Sequence, residues 1–302
     1  MASLKEVKGR ISSVKSTRKI TSAMKMVASA KLHRAQNAIE NMLPYQSKLN
    51  RILTDFLSSM DVSLDSPFTV QREVKRVGII VFSSNSSLCG AFNANVIKRF
   101  VEVTDRYKTL DKENIKVYPV GKKIEEAVKR LGFTPEGTFQ DIADKPSYDE
   151  AAKLAENVMD LFIAGELDRV EVIFHHFKSA GAQELMDATF LPIDLTHVEE
   201  EAEEEEINAE KKTSKRKIRI DYIVEPSVEE FIASLLPTVL KLKVFTASLD
   251  SAASEHAARM MAMQVATDNA NELIDDLTKQ FNKTRQQTIT NELLDIISGS
   301  MK

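Results

Sequence analysis

Apolar residues near the start of the chain recur at three- and four-residue steps: Leu4, Val7, Ile11 and Val14. Ile20, Ala23, Val27 and Ala30 resume the spacing in a shifted phase, and Leu32, Ala35, Ile39 and Met42 repeat it. These steps are the a and d positions of a coiled-coil seam, with stutters between the blocks. Pro44 is placed to kink this helix, and the polar stretch 61–67 to end it. At the other end, residues 227–299 hold no helix-breaking cluster, only an isolated Pro237. A helix of that length reaches roughly 100 Å, so it needs another helix to pack on. Its clearest seam is Met260, Met263, Thr267, Ala270, Ile274, Leu277 and Phe281, and Ser227 with Glu230 forms a capping box at its start.

The middle of the chain changes period. Residues 76–82 are a short apolar run closed by a Ser/Asn turn, the mark of a buried strand. Helix is expected over 90–107, strand over 115–120, helix over 122–131 and 146–164, and strand over 169–177. Weaker strands are expected over 189–194 and 218–224. Alternating strand and helix predicts a largely parallel sheet covered on both faces. The fold class is therefore α/β: a long antiparallel coiled coil of N- and C-terminal helices plus a central Rossmann-like α/β domain. The domains are expected at 1–60, 74–224 with a charged loop at 196–217, and 226–302.

Composition narrows the function. The chain has 302 residues, is 43% hydrophobic and holds no Trp. One cysteine, Cys89, excludes an internal disulfide framework and fits a reducing compartment. No signal peptide is expected at the N-terminus, and no apolar run of bilayer-spanning length is read. The net charge of −4 hides an asymmetry. Residues 1–36 carry nine Lys and Arg against the single acid Glu6, whereas 199–206 read EEEAEEEE. The latter, with KKTSKRK at 211–217, predicts a solvated loop.

Candidate chemistry is sparse. The turn after the first strand, 83–90, has neither dinucleotide nor P-loop glycines, although helix N-terminal amides there offer an anion site. Cys89 lies near a helix start but lacks a nucleophile's His or Asn signature. His175 and His176 are adjacent in a strand and point to opposite faces, so they cannot share a metal. His33, His197 and His256 have no second ligand at metal-binding spacing. No metal or cofactor is expected. The basic N-terminal helix resembles a nucleic-acid arm, but its charges surround the helix and no aromatic interleaves them. A partner with acidic protein loops explains the charges equally well. The rival readings are a scaffold or nucleic-acid-binding rod, and an α/β enzyme with helical arms.

Residues 11–36, ISSVKSTRKITSAMKMVASAKLHRAQ, resemble the N-terminal helix of the gamma subunits of rotary ATP synthases. Residues 257–263, AARMMAM, and 282–299, NKTRQQTITNELLDIISG, resemble that family's C-terminal signature, and the order helix, α/β domain, helix matches throughout. Two departures stand out. Ser300 follows the final glycine where the family prefers Ala, and 84–90 read SNSSLCG where the family usually has SD[RK]GLCG.

The resemblance implies a non-catalytic rotor shaft in a ring of alternating alpha and beta subunits, one copy per complex. It couples proton-driven rotation of a membrane c-ring to ATP synthesis or hydrolysis. Partners would be the alpha3beta3 hexamer, the epsilon subunit and the c-ring, with no nucleic acid. The location would be the bacterial inner membrane, peripheral, on the cytoplasmic side. By the same resemblance Met24 and Lys25 would face an acidic loop of a catalytic subunit, with Lys19 nearby. Arg285 and Gln286 would hydrogen-bond another such loop, and Thr290 and Glu292 would continue that surface. Tyr222 and Glu225 would lie near the foot, where ring and epsilon bind.

Overall fold

A computed structural model describes residues 3–59, 66–193, 224–225 and 227–300. The charged loop 196–217, Tyr222 and nearly all of the expected strand 218–224 lie outside the described residues. The elements are α1 (Leu4–Ser59), β1 (Val77–Phe82), α2 (Phe92–Arg106), β2 (Ile115–Val120), α3 (Lys122–Arg130), α4 (Gln140–Asp144), α5 (Tyr148–Ile163), β3 (Arg169–Ser179), β4 (Ala182–Leu191) and α6 (Val228–Ser300). Pro44 and Pro237 both lie inside continuous helices. Ser227 caps α6 as its sequence implies, its Oγ accepting from the Glu230 amide at 3.2 Å.

The described strands form one sheet in the order β2-β1-β3-β4. β1 pairs parallel with β2 and β3, but β4 runs antiparallel to β3. The sheet is thus mixed, and the strand expected at 189–194 is a longer one that starts at Ala182. Ala180 and Gly181 separate the paired residues Ser179 and Ala182, a two-residue hairpin connection. β4 is a half-exposed edge strand, so its sequence lacks the apolar run that marks β1.

The chain divides into two compact units, residues 31–258 and residues 1–30 with 259–302. In the larger unit the sheet is covered on both faces. Val77, Ile79 and Val81 of β1 join Val96 and Phe100 of α2 and Ile124 and Val128 of α3 in one cluster. Ile80 and Phe82 point the other way, into a second cluster with Leu154, Val158 and Phe162 of α5. Leu53 of α1 and Ile232, Leu236, Leu240 and Val244 of α6 complete that second cluster. Because both faces are buried, β1 is apolar at every position except Gly78. An 18-residue window within α6 reaches a mean hydropathy of 1.4, where the sequence reading found no such stretch. Half of it is buried inside the protein, as in the core helix of a globular body.

The smaller unit is an antiparallel helix pair. Thr21 and Thr267 share a hydrogen bond of 2.8 Å between their hydroxyls, and Arg18 Nη1 donates to Asn271 Oδ1 at 3.1 Å. On α6 the expected seam is the buried one: Met263, Ala270, Ile274 and Leu277 are at most 8% exposed. On α1 the seam differs from the expectation. Leu4, Val7, Ile11 and Val14 face inward, but the heptad then continues without a stutter through Arg18, Thr21, Lys25 and Ala28. Ile20 and Val27 are instead 60% and 59% exposed, and Ala23 and Ala30 are exposed beside them.

Phe162 is fully buried between sheet and helices. Phe162→Ala is expected to cost about 3–5 kcal/mol through lost transfer energy and a residual cavity. Urea unfolding of the full chain measures it.

Candidate functional site

An open parallel sheet binds ligands beyond the carboxyl ends of its strands, where the strand order reverses. β1 leads there into the turn 83–91. The N-terminus of α2, which follows this turn, has no side-chain cap, whereas the first amides of the neighbouring α3 are engaged within the chain. Ile124 N donates to Ser83 Oγ at 3.0 Å, Lys123 N to the Ser84 carbonyl at 3.1 Å, and Lys122 N to Asn85 Oδ1 at 3.0 Å. Gly121 (φ +105°) lets strand and helix close this tightly, since a Cβ there would stand 2.4 Å from the Ser83 carbonyl oxygen. Asn93 folds back over the turn: its Oδ1 accepts from Ser84 N at 3.1 Å, and its Nδ2 donates to Ser84 Oγ at 2.8 Å. That same Nδ2 lies 3.1 Å from Cys89 Sγ, and the thiol is 2% exposed. At the exposed side of the turn Leu88 adopts φ +68°.

The histidine pair on β3 points to opposite faces, as strand geometry requires. His175 stacks on Phe92 with ring centroids 4.2 Å apart, and burial pushes its imidazole down to about 4. Its Nδ1 has no partner among the described residues. His176 Nδ1 lies 2.7 Å from Asp250 Oδ2 of α6, and that hydrogen bond raises its pKa. Among the described residues no group of His, Cys, Asp and Glu is arranged to hold a metal.

The residues implicated by the family signature fall in two places on the smaller unit. Arg285, Gln286, Thr290 and Glu292 are all exposed on α6. Counting heptads from the Thr21–Thr267 layer sets Leu4 opposite Thr284, so these four lie past the first turn of α1. Burial agrees: every residue from Ile289 to Ser300 is exposed, including Ile289, Leu293, Leu294 and Ile296. Lys19 is exposed, whereas Met24 beside the seam and Lys25 within it are half-buried. The same count sets Lys25 opposite Met263, some twenty residues from Arg285, or roughly 30 Å along the helix. The structure therefore does not bring the two groups together. Glu225 is exposed. Sequence reasoning missed the outward Ile20 and Val27, and the signal that finds them is the unbroken heptad phase running through Thr21.

The two histidines give stability opposite pH dependences. His175 is held neutral, with its folded pKa below the unfolded value of about 6.5. Its contribution is complete above pH 6.5 and is lost as pH falls towards 4, amounting to about 2 kcal/mol by pH 5. His176 acts in the reverse sense: its contribution is complete below pH 6.5 and is lost as pH rises through its elevated pKa. Urea unfolding at pH 5 and 7.5 is expected to show a smaller acid loss in His175→Phe than in the parent, and a larger one in His176→Gln.

The ATP synthase family profile matches residues 3–301. The chain is 65% identical over 302 residues to the ATP synthase gamma chain of Bacteroides thetaiotaomicron, covering all of both chains. It is 48% identical over 300 residues to that of Parabacteroides distasonis, covering 99% of each. It also superposes on a chain in the rotor of the Euglena gracilis mitochondrial ATP synthase with a TM-score of 0.63. At 20% identity over 95% of this chain and 98% of that one, the likeness is one of fold. With all but its outermost residues matched by the family profile and its whole length by these relatives, the chain belongs to the ATP synthase gamma-chain family.

Proposed function

We propose that the chain is the turning shaft of a proton-translocating ATP synthase, without a catalytic centre of its own. Its partners are the alpha3beta3 hexamer, the epsilon subunit and the membrane c-ring, and it is peripheral to the inner membrane on the cytoplasmic side. The observation that carries this reading is the end of α6, which passes the first turn of α1 and leaves Arg285, Gln286, Thr290 and Glu292 exposed. A single helix with different side chains on each flank is asymmetric, so each position of a surrounding ring meets a different surface.

The contacts must be soft for the shaft to turn. Lys19 and Lys25, in a stretch with no acid between Glu6 and Glu40, attract acidic loops over several ångströms. Exposed pairs of this kind are worth only about 0.2–1 kcal/mol each, so no single orientation becomes a trap. Arg285 and Gln286 offer planar donors for a loop carboxylate or carbonyl, while Tyr222 and Glu225 belong to the foot.

Arg285→Ala combined with Gln286→Ala is expected to lower ATP hydrolysis by the assembled complex by about two- to thirtyfold, the loss of two contacts of that size. Thermal unfolding of the isolated chain is expected to stay unchanged, since both side chains are exposed. Full turnover in a correctly assembled complex would refute the contact.

A further inference from the structure

β3 outruns the sheet. β1 pairs with it only over residues 169–173, whereas β4 pairs with it as far as Ser179. Residues 174–179 and 182–186 therefore form a two-stranded ribbon beyond the last parallel pair. Two strands alone are marginal in water, so the ribbon's position depends on what fastens it. Adjacent histidines do this on opposite faces. His175 is buried and stacks on Phe92 of α2, with ring centroids 4.2 Å apart. On the other face His176 Nδ1 lies 2.7 Å from Asp250 Oδ2 of α6. One turn along α6 the Ser254 hydroxyl reaches the His175 carbonyl at 3.5 Å, the limit of a hydrogen bond. The hold on α6 thus rests chiefly on one histidine–carboxylate bond.

We propose that the ribbon is a pH-sensitive flap, fastened to α6 by His176 and Asp250 and loosened when the imidazole gives up its proton. An imidazolium donating to a carboxylate makes a charge-assisted bond, roughly twice as strong as a neutral one. Histidine is the side chain that crosses this change near neutral pH. The charges facing His176 favour the proton. Asp250 on α6 does so most strongly, Glu184 on β4 adds to it, and Lys178 on β3 opposes it. Lys178 and Glu184 are themselves paired at 2.5 Å, so they largely offset each other. Lys243 of α6 lines the same cavity, while the α1 residues there, Ile39, Met42, Leu43 and Gln46, carry no charge. The His176 pKa is therefore raised, and the ion pair is complete in mild acid and lost as pH climbs through that value. His175, whose pKa burial pushes down to about 4, stays neutral across this range and keeps the α2 side seated. Loosening at His176 weakens the ribbon's grip on the cavity of about 560 Å³ beside it, which Phe174 and Met186 line from the ribbon. The flap lies wholly within the larger unit and does not depend on the shaft reading.

Amide hydrogen exchange of the full chain at pH 6 and pH 8, corrected for the intrinsic effect of pH on exchange, tests the flap. Protection of residues 174–186 is expected to fall about fivefold between the two, the difference between a charge-assisted and an ordinary bond. Protection of β1 and β2 is expected to hold constant. His176→Gln removes the response, and Asp250→Asn removes it while lowering ribbon protection at pH 6 to the parent's level at pH 8. His175→Phe, which keeps an aromatic ring against Phe92, retains the parent's response. Equal ribbon protection at both pH values in the parent would overturn the proposal. So would a response that survives in His176→Gln, because another group would then be its source. A fall shared equally by β1 would mean general loosening of the unit, and it too would defeat the flap.

Discussion

Much in this chain depends on keeping one helix, the 73-residue α6, covered along an apolar side from Ile232 to Leu277, before its exposed end. A helix of that length has no stability to spare in water unless its stripe is covered continuously. The burial record shows how this is met. Ile232, Leu235, Leu242, Leu249 and Ala253 keep heptad spacing, in steps of three, four or seven residues, within the larger unit. Met263, Ala270, Ile274 and Leu277 keep the same step within the smaller one. Neither proline interrupts its helix in the secondary structure. The two termini are thus committed to helix, and chemistry is left to surfaces that helix leaves open.

The seam that secures the helix pair is not a strong one. Thr21 against Thr267 and Arg18 beside Asn271 replace apolar contact with hydrogen bonds, each worth about 0.5–1.5 kcal/mol net. Small and polar seam residues keep the two helices slim, and the bulkier apolar side chains of α1 are released to its back. The cost in intramolecular packing and the gain in outward apolar surface are two sides of one choice of phase.

That choice also explains what the sequence could and could not tell. Strand and helix limits in the larger unit were legible to within a residue or two, because β1 and α2 carry strong periods of their own. β4 was only half legible, since an exposed edge strand has no buried face to write a pattern. α4, one turn long, has no period at all. On α1 the apolar pattern was followed faithfully and led to the wrong face: Ile20 and Val27 outrank Thr21 and Ala28 in hydrophobicity, yet heptad continuity from Val14 to Leu32 runs through the latter pair. Hydrophobicity reports that a surface will be covered, and it does not report by which chain. The proposed contact residues Arg285 and Gln286 were legible only through their family signature, because an exposed polar side chain leaves no periodic trace.

The turn after β1 shows the same logic from the opposite direction. Its Ser/Asn composition ruled out a P-loop at once, but only the structure shows where those side chains go. Ser83 and Asn85 serve as caps for α3, and Asn93 closes the turn over Cys89. A phosphate-binding turn must leave its amides unsatisfied in the empty state, which destabilises the fold until ligand arrives. Here the chain supplies its own acceptors to the first amides of α3, which are satisfied without a ligand.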